Sequence, residues 1–217
     1  MKSGKAPGLW DGQFIHLLGL LAGLALMWSH GGDLEGDVLI AFWMAVAVPV
    51  VHQIYVWLTW RLELQSALIS RSMGFTGYLI GFFVLFGARF VSLAWLGWLD
   101  RESLPMPVSW RVILTVILVV PGIWLMISVW KYFGFQRAAG GDHFEEKFRE
   151  MPLVKEGIFK YTSNGMYHFG FLLFWAIAVG FGSVSAIMVA GFSHAYIWIH
   201  WFATEKPDLE FLHGGKK

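Results

Sequence analysis

Cysteine is absent from this chain of 217 residues, and charged residues are scarce, at 14% of the total. Without cysteine the protein has no disulfide, no thiolate nucleophile and no cysteine-ligated zinc or iron–sulfur site. The formal net charge of +1 excludes the basic field of a nucleic-acid-binding protein. No spacing of histidine and acidic residues matches a zinc site either. Any chemistry therefore uses nitrogen and oxygen groups, and neither a metal nor a nucleic acid is expected as a partner.

Apolar residues are abundant instead. They make up 57% of the chain, and the mean hydropathy is +0.58. Apolar runs cover residues 13–30, 38–60, 74–98 and 110–133, and a longer run extends over 167–202. Because about 20 apolar residues span a hydrocarbon layer of roughly 30 Å, each of the first four runs is long enough for one membrane-spanning helix.

The fifth run is too long for a single crossing, and its middle contains Gly180, Gly182 and Ser183. These residues predict a turn between two shorter helices. We therefore expect an all-α integral membrane protein with about six transmembrane helices, of which the last two form a helical hairpin. Residues 1–133 supply the first four spans. Residues 134–217 supply a polar loop, the hairpin and a C-terminal tail, and we expect them to form the functional core.

The distribution of basic residues predicts the orientation in the membrane. Most of the 16 lysine and arginine residues lie in segments that share one side if the N-terminus is cytoplasmic, whereas the opposite loops hold only Arg101 and Arg111. Lysine and arginine close to spans are retained on the cytoplasmic side. Both termini and the polar loop are therefore expected in the cytoplasm. Short loops and the lack of an organelle address favour a bacterial inner membrane.

Three motifs precede or open the predicted hairpin. Residues 141–144 read Gly-Asp-His-Phe, residues 153–161 read Leu-Val-x-x-Gly-Ile-Phe-x-Tyr, and residues 164–167 read Asn-Gly-Met-Tyr. In this order the motifs resemble those of the membrane-embedded methyltransferases, which include the phosphatidylethanolamine N-methyltransferases and the isoprenylcysteine carboxyl methyltransferases. The resemblance covers roughly residues 132–214.

The resemblance implies that S-adenosylmethionine binds between the polar loop and the segment after the hairpin, and that a membrane lipid supplies the methyl acceptor. The carboxylate of Glu205 would suit the ammonium group of this cofactor. The aromatic faces of Tyr161 and Tyr167 would hold its adenine or sulfonium through stacking and cation–π contacts of ~0.5–2 kcal/mol each. The implied cofactor-binding residues are Gly141, Leu153, Val154, Gly157, Ile158, Tyr161, Asn164, Tyr167 and Glu205.

Methyl transfer asks little of side chains, because the sulfonium is already an activated leaving group. Holding donor and acceptor in line can supply ~7–11 kcal/mol of the acceleration. An amine acceptor must nevertheless lose a proton before it attacks, and this requires a proton acceptor. The candidate catalytic residues are Glu205, His168, Asp142 and His143. The choice among these four is open, although Glu205 suits the cofactor better and leaves His168 as a base candidate.

Departures from the family pattern bear on the substrate. The carboxyl methyltransferases have arginines where this chain has Ser163 and Ala203, and arginine pairs with anionic groups. Their loss favours a neutral or an amine acceptor, and N-methylation of phosphatidylethanolamine is the function expected first. The alternatives are an isoprenylcysteine carboxyl or small-thiol methyltransferase, a sterol reductase of the same fold that uses NADPH, and a non-catalytic scaffold. Gly165 in place of proline and Lys206 in place of a second acid favour the scaffold.

Polar residues inside the predicted spans are candidates for substrate contact. Arg89 has no acidic residue within any span to pair with, so it either binds a lipid phosphate or reaches the interface or backbone carbonyls. His194 is the second substrate candidate. It shares one helix face with Glu205 if the helix is unbroken, at a distance of ~16 Å. Interhelical hydrogen bonds are the alternative role for His194 and His200, and the expected role for the pair 52–53, His-Gln. The oligomeric state is not indicated.

Overall fold

The computed structural model describes residues 5–162 and 164–214, so Ser163 lies outside the described residues. Within these ranges the chain forms helices and no strand. The α-helices are α1 (Gln13–Gly31), α2 (Gly36–Ser66), α3 (Leu68–Ser72), α4 (Gly74–Leu99), α5 (Val108–Ser128), α6 (Phe135–Ala138), α7 (Glu146–Glu150), α8 (Leu172–Phe181), α9 (Val184–His200) and α10 (Lys206–His213). Three π-helical turns interrupt them, at Val129–Phe133, Met166–Gly170 and Trp201–Glu205. Short 3₁₀ turns lie at Gly141–His143 and Gly157–Lys160.

Five helical segments are long and apolar enough to cross a membrane. They are Gln13–Gly31, Gly36–Ser66, Gly74–Leu99, Val108–Phe133 and Val184–His213. A shorter apolar segment, Met166–Phe181, precedes the last of them. The predicted class, an all-α integral membrane protein, is confirmed. The predicted first four spans coincide with α1, α2, α4 and α5, and the fifth run divides into a short and a long arm.

The predicted hairpin turn lies between α8 and α9. Gly182 adopts a left-handed conformation with φ 64°, which glycine tolerates without strain. Ser183 caps the N-terminus of α9, and its hydroxyl donates a 2.6 Å hydrogen bond to Asp100 at the end of α4. The same carboxylate accepts a 2.9 Å bond from the backbone N–H of Ser185. Burial alone would raise the pKa of Asp100, but these hydrogen bonds outweigh it and leave the pKa below its ordinary value.

The main apolar core draws on both the early and the late helices. Met27, Phe42, Leu93, Phe174 and Ala190 are buried together, and they come from α1, α2, α4, α8 and α9 respectively. On the outer surface many large apolar side chains remain exposed, as expected for helices that face lipid. The late helices are therefore packed around the early ones, and a site between them has walls from both.

The polar loop folds against one end of this bundle. Ile158 and Phe159 are buried against Leu125 and Val129, at the end of α5. The backbone N–H of Ile158 donates a 3.1 Å hydrogen bond to the hydroxyl of Ser128. Loop and tail residues thereby cover the same end of the bundle, which is the arrangement on which the predicted site depends.

Candidate active site

A cavity of about 310 Å³ lies between α2, α4, α5, α8 and α9, beneath the polar loop. Most of its wall is apolar and aromatic, with phenylalanines from α4 and α8. A mostly apolar cavity with a few convergent polar groups is the usual form of a small-molecule site. Its polar wall residues are His52, Gln53, Trp60, Arg89, Tyr167, His200 and Glu205.

Two of the predicted site residues meet in this wall. The Tyr167 hydroxyl donates a hydrogen bond to the Glu205 carboxylate. Tyr167 ends the Asn-Gly-Met-Tyr motif before α8, and Glu205 lies after α9, so the hairpin brings together residues 38 positions apart in sequence. Both side chains are partly buried. This end of the cavity carries a carboxylate beside an aromatic face, which suits a cationic ligand.

Both residues lie in π-helical turns. Tyr167 lies in Met166–Gly170 and Glu205 ends Trp201–Glu205. Single π turns are rare in proteins and often mark functional sites. Each inserts one residue into the helical repeat, so it changes which side chains share a face. The turn before α10 therefore breaks the register that would have placed His194 on the face of Glu205.

A buried ion pair fixes the backbone just beyond Glu205. Arg61 Nε lies 2.8 Å from Asp208 Oδ1, and both side chains are fully buried. Asp208 also contacts His143 Nε2 at 3.3 Å. Arg61 additionally donates a 2.5 Å hydrogen bond to the carbonyl of Gly8. The ion pair therefore joins α2 to α10, while His143 connects α10 to the polar loop.

The candidate catalytic residues Asp142 and His143 contact residues of the C-terminal tail and do not line the cavity. The His143 ring stacks on Trp60 with centroids 4.0 Å apart. Asp142 lies 3.7 Å from Arg137 and 3.0 Å from His213. Their contacts hold the loop and tail together.

The other two histidine candidates also lie away from the cavity. His168 is exposed and packs against Trp198, with ring centroids 5.0 Å apart. His194 accepts a 3.2 Å hydrogen bond from Trp175 Nε1, between α9 and α8. The interhelical hydrogen bond considered for His194 is therefore present, and its substrate role stays a prediction.

The predicted cofactor-binding loop residues fall into two groups. Leu153 and Tyr161 are largely exposed, at 81% and 70%. Asn164 is partly buried and Val154 packs on the cluster around Ile158. None of these loop residues lines the cavity described above.

At two of the predicted cofactor-binding positions, Gly141 and Gly157, the packing of the loop itself requires glycine. Gly157 has a positive φ of 58°, and a Cβ atom there would lie 2.5 Å from the Ser128 hydroxyl. At Gly141 a Cβ atom would lie 2.6 Å from the Phe148 ring. Both therefore permit close packing of the loop, whatever they contribute to a cofactor.

Sequence reasoning did not place four polar cavity residues in the site: His52, Gln53, Trp60 and His200. His52 and His200 were expected to form interhelical hydrogen bonds, but no ring nitrogen of either has a partner among the described residues. Both rings are buried and line the cavity. Trp60, which no motif marks, lies in the wall and donates a 2.8 Å hydrogen bond to the Tyr78 hydroxyl. The position of His200 five residues before Glu205 was the one signal that could have marked it.

Residues 110–215 match the family model of the phospholipid methyltransferases. The phosphatidylethanolamine N-methyltransferase of Saccharomyces cerevisiae strain RM11-1a is 26% identical over 106 residues, which cover 49% of this chain and 12% of that relative. The enzyme of the same name from strain YJM789 is 24% identical over the same length. That from Debaryomyces hansenii is 23% identical over 107 residues, with the same coverage. No solved structure matches the chain.

The C-terminal half of this chain resembles the phospholipid methyltransferases. The resemblance predicted from the motifs is thereby confirmed for this half. The matched part includes Tyr167, His200 and Glu205. Arg89 and His52 lie before it, on α4 and α2. Among the described residues no group of three histidine or acidic side chains is placed to hold a metal ion.

Proposed function

We propose that the protein is an S-adenosylmethionine-dependent methyltransferase that methylates the amine of phosphatidylethanolamine or of its partly methylated products. The observation that carries this proposal is the pairing of Tyr167 with Glu205 in the wall of an apolar cavity between the helices. The family match of residues 110–215 supports the reaction class. The matched relatives are named as phosphatidylethanolamine N-methyltransferases, which supports the acceptor.

The residues at this end of the cavity fit the cofactor. S-adenosylmethionine carries a positive sulfonium and a positive ammonium group. The cavity offers a single carboxylate, Glu205, with the Tyr167 ring beside it. Trp60 supplies a second aromatic face nearby. Glu205 would bind a cationic group of the cofactor, and the aromatic rings would add cation–π contacts of ~0.5–2 kcal/mol each.

S-adenosylmethionine held by Glu205 and Tyr167 would supply an activated methyl group to the amine nitrogen and leave as a neutral thioether. The protein contributes alignment and exclusion of water. The aromatic wall and the covering loop keep the cavity apolar. Holding the two reactants in line accounts for ~7–11 kcal/mol in well-oriented systems.

His200 is the proton acceptor in this proposal. Its ring is buried, lines the cavity and has no hydrogen-bond partner among the described residues. A protonated amine must release one proton for each methyl group that it accepts, and an imidazole nitrogen within reach can take it. Asp142 and His143 are occupied by scaffold contacts, and His168 lies outside the cavity.

The functional unit in this proposal remains residues 134–217, assisted by wall residues of α2 and α4. The positive-inside distribution of basic residues supports a cofactor end that faces the cytoplasm. A bacterial inner membrane stays a prediction, since the matched relatives come from yeasts.

The first test compares cofactor binding by the purified full chain and by Glu205→Gln, using calorimetry in detergent. We expect binding of S-adenosylmethionine but not of NADPH. We also expect a dissociation constant about 10- to 150-fold higher for Glu205→Gln, as for a lost charge-assisted hydrogen bond of ~1.5–3 kcal/mol. Glu210→Gln, an exposed acid on α10, is the matched control and should bind like the parent chain. Binding of NADPH alone would support a reductase, and no binding of either would support a scaffold.

The second test identifies the acceptor. Lipid extracts of cells that express the protein should contain mono-, di- or trimethylated phosphatidylethanolamine, and extracts with Glu205→Gln should contain less. His200→Gln should lower kcat by about 10²- to 10⁴-fold while the affinity for S-adenosylmethionine is kept. Cofactor binding without methylated ethanolamine lipids would refute the proposed acceptor and favour a prenylcysteine or thiol. An unchanged kcat in His200→Gln would refute the role of His200.

A further inference from the structure

The cavity has a second polar group, away from Glu205, that consists of Arg89, His52 and Gln53. We propose that this group binds the phosphodiester of a phospholipid headgroup and so holds the lipid with its amine directed towards Glu205. The inference rests on the proposed function and extends it, because it names the part of the acceptor that is recognised and the residues that recognise it.

Arg89 is a buried cation without an anionic partner. Its side chain lines the cavity, and the residue is only 4% exposed. The Nε and Nη2 atoms have no hydrogen-bond partner among the described residues, and no described carboxylate forms an ion pair with it. Its guanidinium lies 5.1 Å from the ring centres of both Phe171 and Phe174. Burial excludes the alternative in which Arg89 reaches the membrane interface.

The cavity wall that contains Arg89 also includes two polar residues of α2, His52 and Gln53. His52 is buried, and neither of its ring nitrogens has a partner among the described residues. It lies close enough to Arg89 for electrostatic interaction. Gln53 is buried in the same wall. Buried polar groups are normally paired, so the unpaired nitrogens of Arg89 and His52 in the wall of one cavity indicate a ligand with several acceptor oxygens.

The charge at this group selects among such ligands. It contains one permanent cation and no acid, which matches the single negative charge of a phosphodiester. Guanidinium donors bind phosphate oxygens with a geometry that ammonium groups do not reproduce. A prenylcysteine offers a carboxylate as its only anion, and that carboxylate is the group to be methylated. It could not remain on Arg89 and also reach the end of the cavity at Glu205.

The positions of the two polar groups along the helices match the sequence of phosphate and amine in a phospholipid headgroup. Phe171, which contacts Arg89, follows Tyr167 by one helical turn, about 5–6 Å. His52 precedes Trp60 by eight residues, which corresponds to ~12 Å along α2. A lipid with its phosphate at Arg89 would therefore direct its amine towards Glu205, where the methyl donor is proposed to bind. Arg89 and His52 lie outside the part of the chain that matches the phospholipid methyltransferases, so the match does not assign this group.

The test measures lipid binding without any cofactor present. Calorimetry in detergent would compare the full chain with Arg89→Met and with Arg71→Met, an exposed arginine that serves as the matched control. The probes are dihexanoyl-phosphatidylethanolamine, dihexanoylglycerol and inorganic phosphate. We expect Arg89→Met to weaken binding of the phospholipid at least tenfold, whereas Arg71→Met has no effect. Dihexanoylglycerol should bind weakly and equally to all three proteins.

Two further readouts separate ligand binding from a structural role. Removal of an unpaired buried cation should leave the unfolding midpoint of Arg89→Met at or above that of the parent chain. Affinity for S-adenosylmethionine should also be unchanged, so a failure here is distinct from a failure of the proposed function. Arg89→Lys, which keeps the charge, should recover part of the phospholipid affinity.

Three results would overturn the proposal. The first is equal affinity of the parent chain and Arg89→Met for the phospholipid. The second is dihexanoylglycerol binding as tightly as the phospholipid. The third is Arg89-dependent binding of inorganic phosphate without binding of the phospholipid, which would indicate a small-anion site instead.

Discussion

The buried ion pair between Arg61 and Asp208 gives the sharpest prediction about how the site is held. Asp208→Asn keeps the size of the side chain but removes its charge, which leaves the fully buried Arg61 guanidinium without a counter-ion. The contact between Asp208 and His143 is weakened at the same time. Because Glu205 precedes Asp208 by three residues, the change should also disturb the acidic end of the cavity.

The magnitude follows from burial. Removing one partner of a buried ion pair costs about 3–5 kcal/mol, because the remaining charge is uncompensated. For a protein of this size, 1 kcal/mol corresponds to a change of about 2–4 °C in Tm. We therefore expect Asp208→Asn to lower Tm by about 6–20 °C. The ion pair of Lys147 with Glu145, with side chains 64% and 36% exposed, is worth about 0–1 kcal/mol, so Glu145→Gln is the matched control.

The assay is thermal unfolding of the purified variants in one detergent. The double variant Arg61→Met with Asp208→Leu removes both charges, so it should lose less stability than the sum of its single changes. Asp208→Asn should also bind S-adenosylmethionine more weakly than Glu145→Gln does. The reasoning is refuted if Asp208→Asn and Glu145→Gln have the same Tm.

Three further changes test local parts of the fold by thermal unfolding. Asp100→Asn should be less stable at neutral pH. Because folding lowers the pKa of Asp100, this difference should begin to shrink below pH about 4, the ordinary carboxyl pKa, and should disappear only once the pH is below the lowered pKa of the folded state. A difference that persists at low pH would contradict the assignment. Gly140→Ala should lose stability, because φ is +87° and its Cβ would lie 2.3 Å from the Trp60 ring, whereas Gly87→Ala, with open space around it, should not. Gly165→Pro should leave the free energy of unfolding unchanged or raise it by about 0.4–1 kcal/mol, since φ at this position is −53°. A lower free energy of unfolding would show that proline does not fit there.

The membrane-spanning helices were predictable from sequence because one property, the hydropathy of each helix, determines them. A helix in lipid must be apolar over about 20 residues, and this requirement is visible without knowledge of the neighbours. The turn of the hairpin was predictable for a similar reason, since Gly182 adopts a left-handed conformation that is unfavourable for other residues. Both properties belong to short stretches of chain and do not depend on tertiary packing.

The cavity residues were harder to predict, because they are recognised by polar atoms that lack hydrogen-bond partners in the neighbouring helices. His52, Arg89 and His200 were recognised as polar residues inside spans, and partners in neighbouring helices were expected for two of them. Whether a buried nitrogen finds a partner depends on how five helices pack, which no single-helix pattern contains. Asp142 and His143 show the same dependence on packing, because tertiary contacts place them against Arg137 and Asp208, outside the cavity wall.

The π turns explain why even a correct choice of residues did not give the correct geometry. Tyr167 and Glu205 were both identified from their motifs, but a regular helix would have directed Glu205 to the face of His194. The π turn at Trp201–Glu205 shifts the register by one residue, and Glu205 pairs with Tyr167 instead. The sequence therefore identifies the chemical groups, while the irregular turns determine which of them meet. A change that restored a regular helix between His200 and Lys206 should separate Glu205 from Tyr167 and abolish the acidic end of the cavity without removing a polar residue.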